Sequence, residues 1–175
     1  LGGGLAGSAR AEPRFTRDAD LAVALPGDAD AEALIYRLRA RGYQIDAVVE
    51  QEAVGRLATV RLTPSFEALS PVIDLLFASS GIEQEVVAEA ESLDLLPTLR
   101  MGIARTGHLI ALKVLSRDDV RRPQDLVDLR ALIRVAASAE LIRARDALTL
   151  ITTRGFHRGR DLQAAFATLV PPTVD

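Results

Sequence analysis

The chain has no cysteine and no tryptophan, one methionine, and only 4% aromatic residues in 175 positions. Without cysteine, disulfides and thiolate metal sites are excluded. So few aromatics poorly supply the base-stacking platform that single-strand nucleic-acid binders use. Long apolar runs are missing too, none approaching the ~18 residues that a membrane helix requires. Nothing in the first residues reads as a secretory signal, with its basic stretch before an apolar one. The expectation is a cytoplasmic protein with no membrane contact. The chain opens on Leu1 rather than methionine, which leaves room for an element upstream.

Lysine is almost absent as well. Of 21 basic residues one is lysine, Lys113, in a chain otherwise supplied with arginine. A compact ammonium surviving a bias toward arginine marks a position where a point charge is wanted, although a surface lysine is the plain alternative. The net charge of −3 does not announce a nucleic-acid binder. With 49% hydrophobic and 26% charged residues the composition is that of an ordinary globular chain. Its length suits one domain, or one domain with a small appendage.

No period of repeat length is present, so a solenoid is not expected. Leu5 to Arg10 reads as a helix start after a glycine cluster, broken by Pro13. Asp18 to Leu25 alternates as a strand before the Pro26-Gly27 turn. Asp28 is expected to cap a helix from about Asp30 to Arg41, ended by Gly42. Tyr43 to Val49, Leu57 to Thr63 and Val72 to Phe77 read as strands, the last two as a pair. Val86 to Glu91 is ambiguous, and Leu93 to Leu96 is a short strand. From Leu109 onward the spacing of Leu, Ile and Val is helical in four segments. The expected fold is therefore α+β: an α/β core over residues 1–104, then a helical C-terminal subdomain over residues 105–175.

The chemistry-bearing residues are concentrated early. Gly3 and Gly4 precede a helix start, Arg14-Phe15-Thr16-Arg17 follows, and Asp18-Ala19-Asp20 opens a strand. Alternation places Asp18 and Asp20 on the same side of that strand, about 7 Å apart along it. Paired carboxylates make a hard oxygen site suited to Mg²⁺. The glycines permit close backbone approach, and free N–H groups at the helix start can bind phosphate oxygens. Asp74 sits within Val72-Ile73-Asp74-Leu75-Leu76, where an acid is costly to bury without a partner such as a metal. Asp46 is the competing candidate for a third carboxylate. Asp125 and Asp128 lie three apart on one helix face. His108 and His157 are not surrounded like metal ligands and read as structural or exposed. Arg121, Arg122 and the run Arg154 to Arg160 read as solvated faces, with steering of a polyanion as the alternative.

Gly3-Gly4-Leu5-Ala6 followed by Arg14-Phe15-Thr16-Arg17-Asp18-Ala19-Asp20-Leu21 resembles the first motif of the DNA polymerase β-type nucleotidyltransferase superfamily. The Arg-x-Thr before the acidic pair is most similar to nucleotidyltransferases related to abortive-infection toxins. Ala111-Leu112-Lys113-Val114-Leu115 and Pro123-Gln124-Asp125-Leu126-Val127-Asp128 resemble that group's later Lys and Asp-x-x-Asp motifs. Gln124 stands where the group often has lysine.

The resemblance implies a nucleotidyltransferase-type mixed sheet flanked by helices, and NMP transfer from a nucleoside triphosphate to a hydroxyl. It implies two Mg²⁺ ions held by Asp18, Asp20 and Asp74. Gly3, Gly4, Ser8, Arg14 and Thr16 would contact the triphosphate, Arg14 or Lys113 would offset leaving-group charge, and Asp125 would orient Lys113 or the base, with a plain helix N-terminus beside Pro123 as its alternative role. RNA, especially a tRNA end, is the implied acceptor, with small-molecule or protein hydroxyls as alternatives. An antitoxin protein is the implied partner, in a toxin–antitoxin or phage-defence setting. A degenerate, nucleotide-binding or protein-interaction module on the same fold is the competing expectation.

Overall fold

A computed structural model describes residues 18–52, 54–65, 72–96, 98–119, 121 and 123–170; for residues 18, 95 and 96 it describes the backbone only. Among the described residues the chain forms six strands and six helices. Strands β1 (Asp18–Ala22), β2 (Tyr43–Gln51), β3 (Arg56–Pro64) and β4 (Val72–Leu76) build one mixed sheet in the order β1-β4-β3-β2. Strand β4 runs parallel to β1 and antiparallel to β3. Strands β5 (Glu91–Leu96) and β6 (Leu99–Ile103) make a separate antiparallel ribbon. The helices are α1 (Asp28–Ala40), α2 (Glu83–Ala88), α3 (Thr106–Ser116), α4 (Pro123–Val135), α5 (Ser138–Thr153) and α6 (Leu162–Ala167). The fold is mixed α/β, as expected.

Period-two alternation decides which side of the sheet is dry. Ala58, Val60 and Leu62 of β3 are buried, and they share a face with Leu75 and Phe77 at and beyond β4. Helix α1 covers that face with Ala31, Leu34, Ile35 and Leu38, the i, i+3, i+4, i+7 set of an amphipathic helix. Gly42 ends α1 with a positive φ of 88° that a side chain would resist.

Asp28 does not cap this helix. The N-cap is Gly27, and the Asp28 carboxylate instead accepts from Arg56 Nε at 2.7 Å and Leu57 N at 3.1 Å. Two donors on β3 outcompete the local helix amides, and they hold Asp28 below the usual carboxylate pKa, the Arg56 hydrogen bond most of all.

The larger apolar cluster is helical. Helix α3 lies at its centre, with Leu109, Ile110, Ala111, Val114 and Leu115 all buried. Burying each of its larger aliphatic side chains contributes about 1.5–3 kcal/mol. Gly107 lets α3 approach α5 closely, because a Cβ there would stand 2.5 Å from Glu140 O. The cluster reaches back before residue 105, taking in Ile82 and Val86 of the α2 segment, Ile103 and Ala104.

The arginines expected on a solvated face tie elements together. Arg154 bridges α5 to Glu85 on α2 at 2.7 Å, and Arg160 donates to Leu115 O at 3.0 Å and Arg117 O at 3.3 Å. The end of α3 leaves carbonyls that need donors, and a guanidinium supplies them.

Candidate functional site

The α1 face of the sheet is apolar; the opposite face carries charge. In the parallel pair, Asp20 of β1 stands opposite Asp74 of β4, and in the antiparallel pair Asp74 stands opposite Arg61 of β3. Directly opposed residues in a ladder point to the same side. Asp20, Asp74 and Arg61 therefore form one row across three strands. Neighbouring strands lie about 4.8 Å apart, which puts the two carboxylates within reach of a shared ion. Asp18 pairs with Val72 in the same ladder, two residues before Asp20.

Asp74 is 9% exposed, and its charge is met by Arg61. Arg61 Nε donates to Oδ1 at 2.9 Å and NH2 to Oδ2 at 2.7 Å, the planar fork that matches a carboxylate. Each oxygen keeps a lone pair beyond the one Arg61 occupies. Asp46, the competing acid, is placed otherwise. It lies on the edge strand β2, at a bulge, accepting from Thr63 Oγ1 at 3.2 Å on an exposed surface. Arg61 was not singled out in the sequence. Its signal was the polar set Thr59, Arg61 and Thr63 alternating with buried Ala58, Val60 and Leu62.

A second constellation joins α3 to α4. Lys113 Nζ lies 3.2 Å from Asp128 Oδ2 and 3.8 Å from Asp125 Oδ1. The lysine side chain is 14% exposed, so its charge is directed at these acids rather than at bulk water. Gln124 supports the arrangement by donating to Asp128 Oδ1 at 3.2 Å. The spacing of three that places both acids on one face of α4 is what allows a single ammonium to meet them.

Gly3, Gly4, Ser8, Arg14 and Thr16 lie outside the described residues, as does the side chain of Asp18. Among the described residues no three Asp, Glu or His side chains come together as a ready metal site. On the charged face Asp20 and Asp74 supply carboxylate oxygens, the hard donors that Mg²⁺ takes, beside the Arg61 guanidinium that holds Asp74.

No protein-family model matches the chain, and a search of curated proteins finds no match. Among the described residues no helix is long and apolar enough to cross a membrane.

Proposed function

We propose that the chain is an Mg²⁺-dependent nucleotidyltransferase on a nucleotidyltransferase-type fold, transferring NMP from a nucleoside triphosphate to a hydroxyl. The observation that carries the reading is the register of Asp20 against Asp74, with Asp18 two residues earlier on the same strand. A third carboxylate on the strand beside the acidic pair is what the resemblance implies. The mixed sheet, helix-covered on one side and acidic on the other, supports it.

In this reading Asp18, Asp20 and Asp74 hold Mg²⁺, which when bound would offset the triphosphate charge and stabilise the entering and leaving oxygens of an in-line displacement. Arg61 fixes the plane of Asp74, so that the carboxylate meets an incoming hydroxyl without reorganising. The acceptor oxygen bonds to the α-phosphorus, the bond from the α-phosphorus to the oxygen bridging to the β-phosphate breaks, pyrophosphate leaves with that oxygen, and the hydroxyl proton passes to the Asp74 carboxylate. Gly3, Gly4, Ser8, Arg14 and Thr16 contact the phosphates. Lys113 faces the leaving group, oriented by Asp125. The acceptor is RNA, with a tRNA end the foremost candidate, and an antitoxin protein is the partner.

A second reading has a specific observation behind it. Arg61 already neutralises Asp74, and a member that binds nucleotide or a protein without transfer would tolerate that pairing. Labelled nucleoside triphosphates incubated with the protein and cellular RNA separate the two. Transfer that disappears in Asp20→Asn and Asp74→Asn, with folding retained, supports the enzyme. Transfer undiminished in both variants overturns it.

A further inference from the structure

The second half of α1 presents a surface of its own. Ala31, Leu34, Ile35 and Leu38 turn inward, so the helical period sends Tyr36 to the middle of the solvent side, with Arg37 and Arg39 on its flanks. Tyr36 is 74% exposed. Arg37, Arg39 and Arg41 are exposed too, and their guanidiniums meet no hydrogen-bond or ion-pair partner among the described residues. Cations near a helix C-terminus complement its dipole. The dipole gives no reason for an aromatic ring standing in water between them.

Between this end of α1 and the start of β2 runs an open groove of about 700 Å³. Tyr36, Arg39, Tyr43, Gln44, Ile45 and Ser65 line it, and no acid does so among the described residues. The nearest acids in sequence are Glu32, one turn before Tyr36, and Asp46, which accepts from Thr63 Oγ1 at 3.2 Å; neither lines the groove. The chain has two tyrosines, and both are here. Aromatic residues are scarce in the sequence as a whole, yet at this place they coincide with unpaired positive charge.

Strand β2 is the outer strand of the sheet and is exposed from Gln44 to Glu50. Gln44 stands opposite Thr63, which follows Arg61 by two residues and shares its side, so the groove opens round the sheet edge onto the charged face. From β2 to β1 is three strand spacings, about 14 Å. A ligand that enters at Tyr36 and crosses Gln44 is thereby directed at Asp74 and Asp20.

The chemistry of the groove selects its occupant. An acidic peptide would meet the arginines and gain nothing from the tyrosine ring, and an apolar peptide would leave the arginines without counter-ions. A single-stranded nucleic acid uses both, because its phosphates take the cations while its bases stack on aromatic faces. We propose that this groove binds single-stranded RNA, with a base stacked on Tyr36 and the flanking phosphates on Arg37, Arg39 and Arg41. The strand continues past Gln44 and presents its terminal hydroxyl to the carboxylates, a placement that rests on the proposed transfer.

With no tryptophan in the chain, the tyrosine fluorescence lifetime of the whole protein reports on this groove. A short oligoadenylate, added without Mg²⁺ or nucleoside triphosphate, should shorten it saturably. Inorganic polyphosphate, which carries charge but no bases, should leave it unchanged. Affinity, followed by the anisotropy of end-labelled oligoadenylate, should fall about tenfold in Tyr36→Ala through loss of one stacked base. The slope of log affinity against log salt should drop by about 0.7 for each phosphate contact removed in the double variant Arg37→Gln/Arg39→Gln. Unaltered affinity in Tyr36→Ala, an unaltered salt slope in the double variant, or equal lifetime shortening by polyphosphate would each overturn the assignment. Asp20→Asn should bind the oligomer as the parent chain does, so absence of transfer with binding intact counts against the proposed chemistry and not against the groove.

Discussion

Arg61 grips both carboxylate oxygens of Asp74 from the neighbouring antiparallel strand, at 2.9 and 2.7 Å. The Asp74 side chain is 12% exposed and that of Arg61 47%, so the acid is enclosed while its counter-ion reaches solvent. An acid in this position must be balanced by something, and the guanidinium balances it from the side away from Asp20.

Arg61→Met should therefore destabilise the protein by about 1–3 kcal/mol, because it leaves a poorly solvated carboxylate behind. Urea denaturation measures the loss. The double variant Arg61→Met/Asp74→Asn should recover most of it, since no charge then remains to be balanced. Added Mg²⁺ should stabilise Arg61→Met more than the parent chain, as a cation binding only the folded state would. Equal response to Mg²⁺ in both would argue against a metal at Asp74.

Gly107→Ala inverts the usual helix rule. In an exposed helix interior this change gains up to about 1 kcal/mol. Here the added Cβ would stand 2.5 Å from Glu140 O and 2.8 Å from Arg143 Cβ, so α3 and α5 must separate. A loss of about 1–3 kcal/mol is expected from such overpacking, read as a lower thermal midpoint. An unchanged or raised midpoint would show that the two helices yield without cost.

Much of this fold was legible because its signals are local. The apolar spacing of α3, α4 and α5 and the alternation of β3 follow from which side each element buries. Asp74 stood out because its flanks are apolar on both sides. What was not legible depends on register. Nothing local says that Arg61 faces Asp74 or that Asp20 stands beside it, since those pairings arise only when three strands align. Asp28 misled for the same reason: it looks like a cap in isolation, and only the approach of Arg56 and Leu57 redirects it. Strand β6 alternates Leu99, Met101 and Ile103 with Arg100 and Gly102, but at five residues its pattern is too short to stand out; it pairs with β5, and Ile103 packs into the helical core. Helix α2, at six residues, is too short to display a period.

Stability should fall in two stages on acidification. His108 has a folded pKa below its ordinary value of 6.5, mainly through burial. The unfolded chain thus takes up the proton first, and stability present above about pH 6.5 declines as pH drops toward the folded value. Asp28, Glu85 and Glu89 are also lowered, chiefly by hydrogen bonds from Arg56, Arg154 and Arg143. Their contribution is complete above their unfolded values near 3.8 and 4.5 and is lost as pH falls through the folded ones. Urea midpoints measured against pH in His108→Gln should lack the first stage and retain the second. A first stage surviving in His108→Gln would place its origin elsewhere.

Lys113 holds two acids of α4 that would otherwise repel each other, with side-chain exposures of 14% for the lysine and 19% for each acid. Lys113→Met should cost about 2–4 kcal/mol, because two half-desolvated carboxylates lose their shared cation. Lys113→Arg should lose less stability, since the charge remains, but a planar fork cannot take the place of a compact ammonium between two acids on one face. The functional outcome is separable from the structural one. Under the proposed transfer chemistry, Lys113→Arg should lower kcat while the thermal midpoint stays close to that of the parent chain, because the displaced charge no longer meets the leaving pyrophosphate. Asp128→Asn, which removes the acid nearest to Lys113, tests the opposite case. It should lower stability and leave turnover largely intact, because Asp125 still orients the ammonium. Loss of turnover in proportion to stability across all three variants would assign Lys113 to the packing of α3 on α4 alone.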